Sequence, residues 1–224
     1  MALTVKICGL KSPDTLDAAL QAGADMVGFV FFPPSPRHLG LEGARVLGEQ
    51  VGGRAQKVAL TVDADDETLG GIVAALHPNM LQLHGKETSE RVAVVRSRFG
   101  LPVMKAIPVS SRADLAAVRS YADVCDWLLF DARAPQDATR PGGLGKPFDW
   151  NLLAGLEPGV PFMLSGGLDA RNVAEALDIA QASGVDVSSG VERAPGEKDA
   201  NKIRAFIAAA RAAAPLELPK ASIV

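Results

Sequence analysis

Thr4-Val5-Lys6-Ile7-Cys8-Gly9 is a short β-branched run interrupted by one lysine, followed by a thiol and a strand-ending glycine. Ser12-Pro13-Asp14 comes next and reads as a helix start: serine can cap, proline suits the first turn, and aspartate complements the positive end of the helix dipole. Cys8 therefore sits where a buried strand runs out into a βα loop. In a parallel α/β fold that edge faces the ligand. Lys6 and Cys8 alternate at period two, so both side chains can point to the same face.

The strand–loop–helix unit recurs along the chain. Strands are predicted at Thr4–Ile7, Asp25–Phe31, Lys57–Val62, Met80–Leu83, Val103–Ile107, Trp127–Phe130, Phe162–Leu164 and Val185–Val187. Helices are predicted from Pro13 to about Ala22, Leu41–Val51, Asp65–Leu76, Ser89–Phe99, Ser111–Tyr121, Trp150–Leu156, Asn172–Ala182 and Asp199–Ala213. About eight strands at spacings of roughly 22 to 34 residues fit a single (β/α)8 TIM barrel, a parallel eight-stranded barrel with outer helices, spanning residues 1–214. The 215–224 segment reads as an irregular tail. A doubly wound open sheet is the second reading; it usually has fewer strands, and the GxGxxG fingerprint expected after the first strand is absent.

Composition narrows the function. The 224 residues are 48% apolar and only 5% aromatic, enough for a substantial core. Net charge is −3 with both signs interspersed, and no basic block suggests a nucleic-acid surface. Cys8 and Cys125 are the only cysteines and form no CxxC, so a reducing, cytoplasmic setting is expected. No apolar run is long enough for a bilayer, so no membrane partner is expected. The expected ligand is a small molecule.

The groups reading out at carboxyl ends of strands are Cys8, Arg37, Asp63, His84, Asp131 and the clusters at Ser165 and Ser188. Cys8 is either a base or nucleophile, or a small buried hydrophobe; Cys125, before its strand, reads as structural. Asp131 ends an apolar run, where partial desolvation makes a carboxyl a candidate acid; the alternative is a loop-ordering aspartate. Ser165-Gly166-Gly167 and Ser188-Ser189-Gly190 follow strands seven and eight, where barrels often hold phosphate on backbone N–H groups, and Val191-Glu192-Arg193 could supply the short extra helix of such a site. Arg37, on a triple-proline loop, can clamp a carboxylate bidentately or point to solvent. His84 can touch ligand or order its loop. The histidines lack partner spacing, so no metal site is read. Gly142-Gly143-Leu144-Gly145-Lys146 lacks the full P-loop pattern and reads as a lid, with Lys146 able to reach inward.

In order, the chain carries Lys6-Ile7-Cys8-Gly9, Ser35-Pro36-Arg37, Leu81-Gln82-Leu83-His84-Gly85, Phe130-Asp131, Gly142-Gly143-x-Gly145-Lys146-x-Phe148-Asp149-Trp150, Leu164-Ser165-Gly166-Gly167-Leu168 and Asp186-Val187-Ser188-Ser189-Gly190-Val191-Glu192. This ordered set, from Lys6 to about Phe206, resembles the phosphoribosylanthranilate isomerase family of tryptophan biosynthesis. The resemblance implies an Amadori rearrangement of N-(5-phosphoribosyl)anthranilate, with Cys8 as general base and Asp131 as general acid. It associates Arg37 with the anthranilate carboxylate and gives phosphate to Ser165, Gly166, Gly167, Ser188, Ser189 and Gly190. His84, Gly143, Gly145, Lys146 and Asp186 are the further substrate contacts it implies. It implies no metal or organic cofactor, and a monomer or homodimer. One departure is Leu144, where the family commonly has Thr or Ser. The rivals are another phosphosugar isomerase or epimerase barrel and a non-catalytic phosphate-ligand-binding barrel. A triose-type isomerase would want Glu after strand six, where this chain has Asp131.

Overall fold

Strand β1 (Thr4–Cys8) pairs in parallel with β2 (Met26–Phe31) on one side and with β8 (Gly184–Val187) on the other, which closes the sheet into a cylinder. Between them run β3 (Gln56–Thr61), β4 (Met80–Leu83), β5 (Val103–Val109), β6 (Trp127–Ala132) and β7 (Phe162–Leu164), each paired only with its sequence neighbours within the barrel. The computed structural model describes residues 2–135, 138, 140–143, 145 and 147–214; the expectations for Leu144, Lys146 and the 215–224 segment lie outside them.

The strands are buried on both faces because helices cover the outside, so they read as near-continuous apolar runs. Outward-facing Ile7, Phe29, Leu81, Phe130 and Leu164 pack against the helices α1 (Pro13–Gln21), α2 (Leu41–Val51), α3 (Asp66–Leu76), α4 (Ser89–Phe99), α6 (Val173–Ala180) and α7 (Ala200–Ala213) through residues such as Leu16, Leu47, Ile72, Val95, Val173 and Phe206. Inward-facing Met26, Val58, Met80, Met104, Leu129 and Met163 fill the amino-terminal half of the cylinder. Caps fix the helix starts: Asp65 accepts from Thr68 N at 2.8 Å, and Asp199 accepts from Asn201 N and Lys202 N at 2.8 and 3.1 Å.

Three local expectations are corrected. The helix predicted over Ser111–Tyr121 is a 3₁₀ segment (Arg112–Ala117) followed by the short α5 (Val118–Ala122). Asp114 accepts from the backbone N–H of Ser110 and Ser111 and from both hydroxyls, and this local bonding tightens the first turn. The helix predicted over Trp150–Leu156 is a 3₁₀ turn at Trp150–Leu153, capped by Asp149. Val191-Glu192-Arg193 is not a helix: a 3₁₀ turn at Ser189–Val191 leads into an antiparallel hairpin of β9 (Glu192–Ala194) and β10 (Glu197–Lys198), turned at Pro195-Gly196.

Candidate active site

Cys8 ends β1 and is almost fully buried, with Lys6 two residues earlier on the same inward face. A methyl group built on Gly28 of β2 would lie 2.9 Å from the Cys8 sulfur and 3.1 Å from Lys6 Nζ, so the two groups converge beside a strand that has no side chain there. Lys6 Nζ donates to Asp186 Oδ1 of β8 at 2.7 Å, and the Ser165 hydroxyl donates to Asp186 Oδ2 at 3.2 Å. Burial alone would lower the Lys6 ammonium, but Asp186 and the Cys8 sulfur outweigh it and hold it above the ordinary lysine value. Burial raises the Cys8 thiol, and Asp186 adds to that push. The Lys6 and Lys198 cations oppose it.

Asp131 lies on the inward face of β6, with Oδ1 accepting from Ala132 N at 2.9 Å and Oδ2 lying 3.2 Å from His84 Nε2. His84 Nδ1 is in turn 3.1 Å from Gln82 Nε2, and Gln82 is wholly buried inside β4. The loop carrying His84 is braced from the helix side. Lys105 donates to Leu83 O, Gly85 O and Glu87, while Glu87 accepts from Asp63 N and Gly85 N, each at 2.9 Å. Asp63, expected at the ligand edge, instead accepts from Lys86 N and takes a left-handed backbone at φ 49°; it ties two loops together.

Arg37 is buried rather than solvated. Its Nε and Nη2 donate to the two Glu192 oxygens at 2.7 and 2.8 Å, and Nη2 also reaches Gly143 O at 3.2 Å. The Nε/Nη2 fork is thus already closed on a protein carboxylate, and among the described residues Nη1 is the terminal nitrogen without a partner, lying against Gly143. Burial alone would raise Glu192, but Arg37 and Lys198 bring its carboxyl below the ordinary value. Burial lowers Lys198 to about 8, against the pull of Glu192.

Cys8, Arg37, His84, Asp131, Gly142, Gly143, Gly145, Ser165, Gly166, Gly167, Asp186, Ser188 and Ser189 all face one cavity of about 590 Å³ at the carboxyl ends of the strands. The proposed phosphate groups divide within it. Gly166 and Gly167 line the cavity and take left-handed backbones in succession, at φ 83° and 67°, with no side chain to keep a ligand from their amides. Ser165 is engaged already, its amide on Phe130 O and its hydroxyl on Asp186. The Ser188 hydroxyl donates to Cys8 O at 3.1 Å and accepts from Lys198. Gly190 lies behind the wall, pressed against the backbone of Leu168. Sequence reading singled out neither Gly28 nor Lys198, and it gave Gln82 and Gly142 no role beyond membership of a family motif and of the lid. Gly142 lies against the Asp131 carboxyl and His84. Pro195-Gly196 between two short extended stretches was the signal that would have placed the hairpin and its Lys198.

A closed (β/α)8 barrel that gathers a thiol, a carboxyl and two glycine-rich loops at one end of its strands defines an acid–base enzyme of the phosphosugar-handling class. The chain belongs to the N-(5'-phosphoribosyl)anthranilate isomerase family: the family model described as N-(5'phosphoribosyl)anthranilate (PRA) isomerase matches residues 5–209. An N-(5'-phosphoribosyl)anthranilate isomerase of Bradyrhizobium sp. (strain ORS 278) is 66% identical over 218 residues, covering 97% of this chain and 100% of the relative. One from Nitrobacter winogradskyi is 68% identical over 213 residues, covering 95% of each. The crystal structure of phosphoribosyl anthranilate isomerase from Thermotoga maritima superposes with a TM-score of 0.85 at 34% identity, covering 94% of this chain and 99% of that one. A structure of such an isomerase in complex with reduced 1-(o-carboxyphenylamino)-1-deoxyribulose 5-phosphate gives 0.80 at 32% identity, with the same coverage.

Proposed function

We propose that this chain converts N-(5'-phosphoribosyl)anthranilate to 1-(2-carboxyphenylamino)-1-deoxyribulose 5-phosphate in tryptophan synthesis, with Cys8 as general base and Asp131 as general acid. The observation that carries the assignment of roles is that these two groups, from β1 and β6, face one cavity together with Gly166 and Gly167.

Asp131 gives its proton to the furanose ring oxygen. The nitrogen lone pair expels that oxygen from C1, which leaves an open-chain iminium. Cys8, as thiolate, takes the proton from C2, and the C–H electrons form the C1=C2 bond of an enolamine, which tautomerises to the ketone. Cys8 must lose its own proton before it can take one; Lys6 beside it and Lys198 nearby stabilise the resulting anion. His84 supports the carboxylate left on Asp131. Gly166 and Gly167 amides, with Ser189 across the cavity, hold the phosphate. Asp186 contacts the sugar from the far side of Lys6, and Arg37 meets the anthranilate carboxylate through its Nη1 edge. Lid residues Gly143 and Gly145 close over the ligand.

Every one of these groups belongs to a single chain, so the activity is proposed for monomer and homodimer alike. A free buried thiol acting on a phosphorylated, membrane-impermeant sugar supports a cytoplasmic setting. Among the described residues no helix is long and apolar enough to cross a membrane.

The test is turnover by Cys8→Ala and Asp131→Asn, followed by loss of the anthranilate adduct's fluorescence. Each is expected to lower kcat by about 10²- to 10⁴-fold. Near-normal turnover in either variant removes that residue from its role.

A further inference from the structure

The hairpin β9–β10 is not needed to close the barrel, yet it carries two of the few charged side chains buried in this protein, Glu192 and Lys198. Both point back toward the site. Glu192 receives Arg37 on both its oxygens, at 2.7 and 2.8 Å. Lys198 uses its ammonium on Glu192 Oε1 at 2.8 Å, Ser188 O at 2.8 Å and Ser188 Oγ at 3.1 Å. The Ser188 hydroxyl donates to the carbonyl of Cys8 itself. The turn of the hairpin presses on the other side of the arginine loop: Gly196, at φ 80°, lies against the carbonyl of Pro36, where no side chain fits. Gly9 completes the cradle, since a methyl group there would sit 2.7 Å from Arg37 Cδ.

We propose that Glu192 and Lys198 are positioning residues for Arg37: they fix its guanidinium in the cavity wall and leave the Nη1 edge as the substrate-carboxylate contact. The proposal rests on the reading of Arg37 as that contact. An arginine loses rotamer freedom when it binds a carboxylate, and here the protein orders it before the ligand arrives. The geometry also explains why the guanidinium does not simply fold onto solvent from its proline-rich loop: two of its three nitrogens are held by a buried anion, and that anion is held by a buried cation. Lys198 links the same assembly to Ser188 and hence to the Cys8 strand end, so carboxylate recognition and base placement share one brace.

The experiment measures Glu192→Gln, Lys198→Met and Lys198→Arg against Arg37→Ala. Glu192→Gln is expected to raise KM about ten-fold with kcat within about two-fold, because a fork held by a charged partner is lost while the reacting groups stay in place. Lys198→Met is expected to raise KM in the same direction and also to lower kcat, since Lys198 helps to stabilise the Cys8 anion, and Lys198→Arg to restore both in part. In the Arg37→Ala background Glu192→Gln is expected to add nothing to KM; an independent, multiplying effect would overturn the proposal.

Reduced 1-(o-carboxyphenylamino)-1-deoxyribulose 5-phosphate and its counterpart lacking the carboxylate, used as competitive inhibitors, sharpen the result. Glu192→Gln should weaken only the carboxylated compound, whereas equal weakening of both would show a merely structural hairpin. An unchanged KM in Arg37→Ala would overturn the Arg37 reading itself; a raised KM there with an unchanged KM in Glu192→Gln would overturn the positioning proposal alone. If Glu192→Gln does not fold, the double variant Glu192→Gln/Lys198→Met, which removes both members of the pair, is read in its place on KM and on discrimination between the two inhibitors, not on kcat.

Discussion

Replacing Gly28 with alanine adds one methyl group at the point where base and lysine meet. The backbone of Gly28 is not in the left-handed region, so alanine is allowed there and the effect is one of space. The new carbon would lie 2.9 Å from Cys8 Sγ, 3.1 Å from Lys6 Nζ and 3.2 Å from Cys8 Cα, where ordinary contact begins at 3.4 Å. The sulfur must move by at least half an ångström, and Cα lies too close for the side chain to escape by rotation alone. Displacing a reacting group by 1 Å costs roughly 10²-fold, so kcat/KM should fall about 10- to 100-fold. Overpacking of this kind costs about 1–3 kcal/mol, which for a chain of this length lowers Tm by roughly 2–12 °C. Gly48→Ala is the control. Its methyl would lie 3.1 Å from both Leu76 Cδ1 and Leu76 O, between α2 and α3 and away from the cavity. It should shift Tm while leaving kcat/KM within about two-fold. The assay is steady-state turnover by fluorescence beside thermal melting. Gly28→Ala with near-native kcat/KM, or with a loss matched by Gly48→Ala, would refute the placement of the Cys8 sulfur against that strand.

Other outcomes follow from the same packing. Gln82→Met keeps the buried volume but removes the amide that faces His84 Nδ1, so kcat should fall with KM little changed; a rise in KM alone would show that Gln82 only fills space. Cys125 tests the pH dependence of stability. Burial raises its thiol from 9.0 to about 11, so the folded state binds this proton more tightly than the unfolded one. The stabilisation is complete below pH 9 and is lost as pH rises from 9 to 11. Cys125→Ala should therefore flatten the fall of the urea midpoint across that window, and an unchanged slope would count against a buried thiol there.

Much of the barrel was legible because each strand is short, apolar and followed by punctuation that belongs to a βα loop. Lys6 and Cys8 betrayed their shared face through period-two alternation, and Asp131 through its place after Trp127-Leu128-Leu129-Phe130. What could not be read were partnerships across long separations. Arg37 looked free because its partner Glu192 lies 155 residues later, and no local pattern joins them. Gln82 looked like one more interior residue of β4 until His84 and Asp131 were brought into line. The 3₁₀ segment after β5 was misread for the opposite reason: its composition favours helix, and only Asp114 bonding back to Ser110 and Ser111 tightens it. For the serines of the proposed phosphate clusters, sequence shows a hydroxyl but not the neighbour that already bonds it, as Asp186 does for Ser165 and Lys198 for Ser188.

Apart from residue 1, every methionine in the chain lies inside the lower half of the cylinder, at Met26, Met80, Met104 and Met163. Carbon-13 labelling of methionine methyls would thus give four resonances from the floor beneath the reacting groups, unobscured by signals from the helical shell. The indole of Trp127 packs against that cluster and its ring current should spread the methyl shifts, so changes on ligand addition would report rearrangement of the floor itself. The protein carries its own spectroscopic plumb line, set directly under the chemistry.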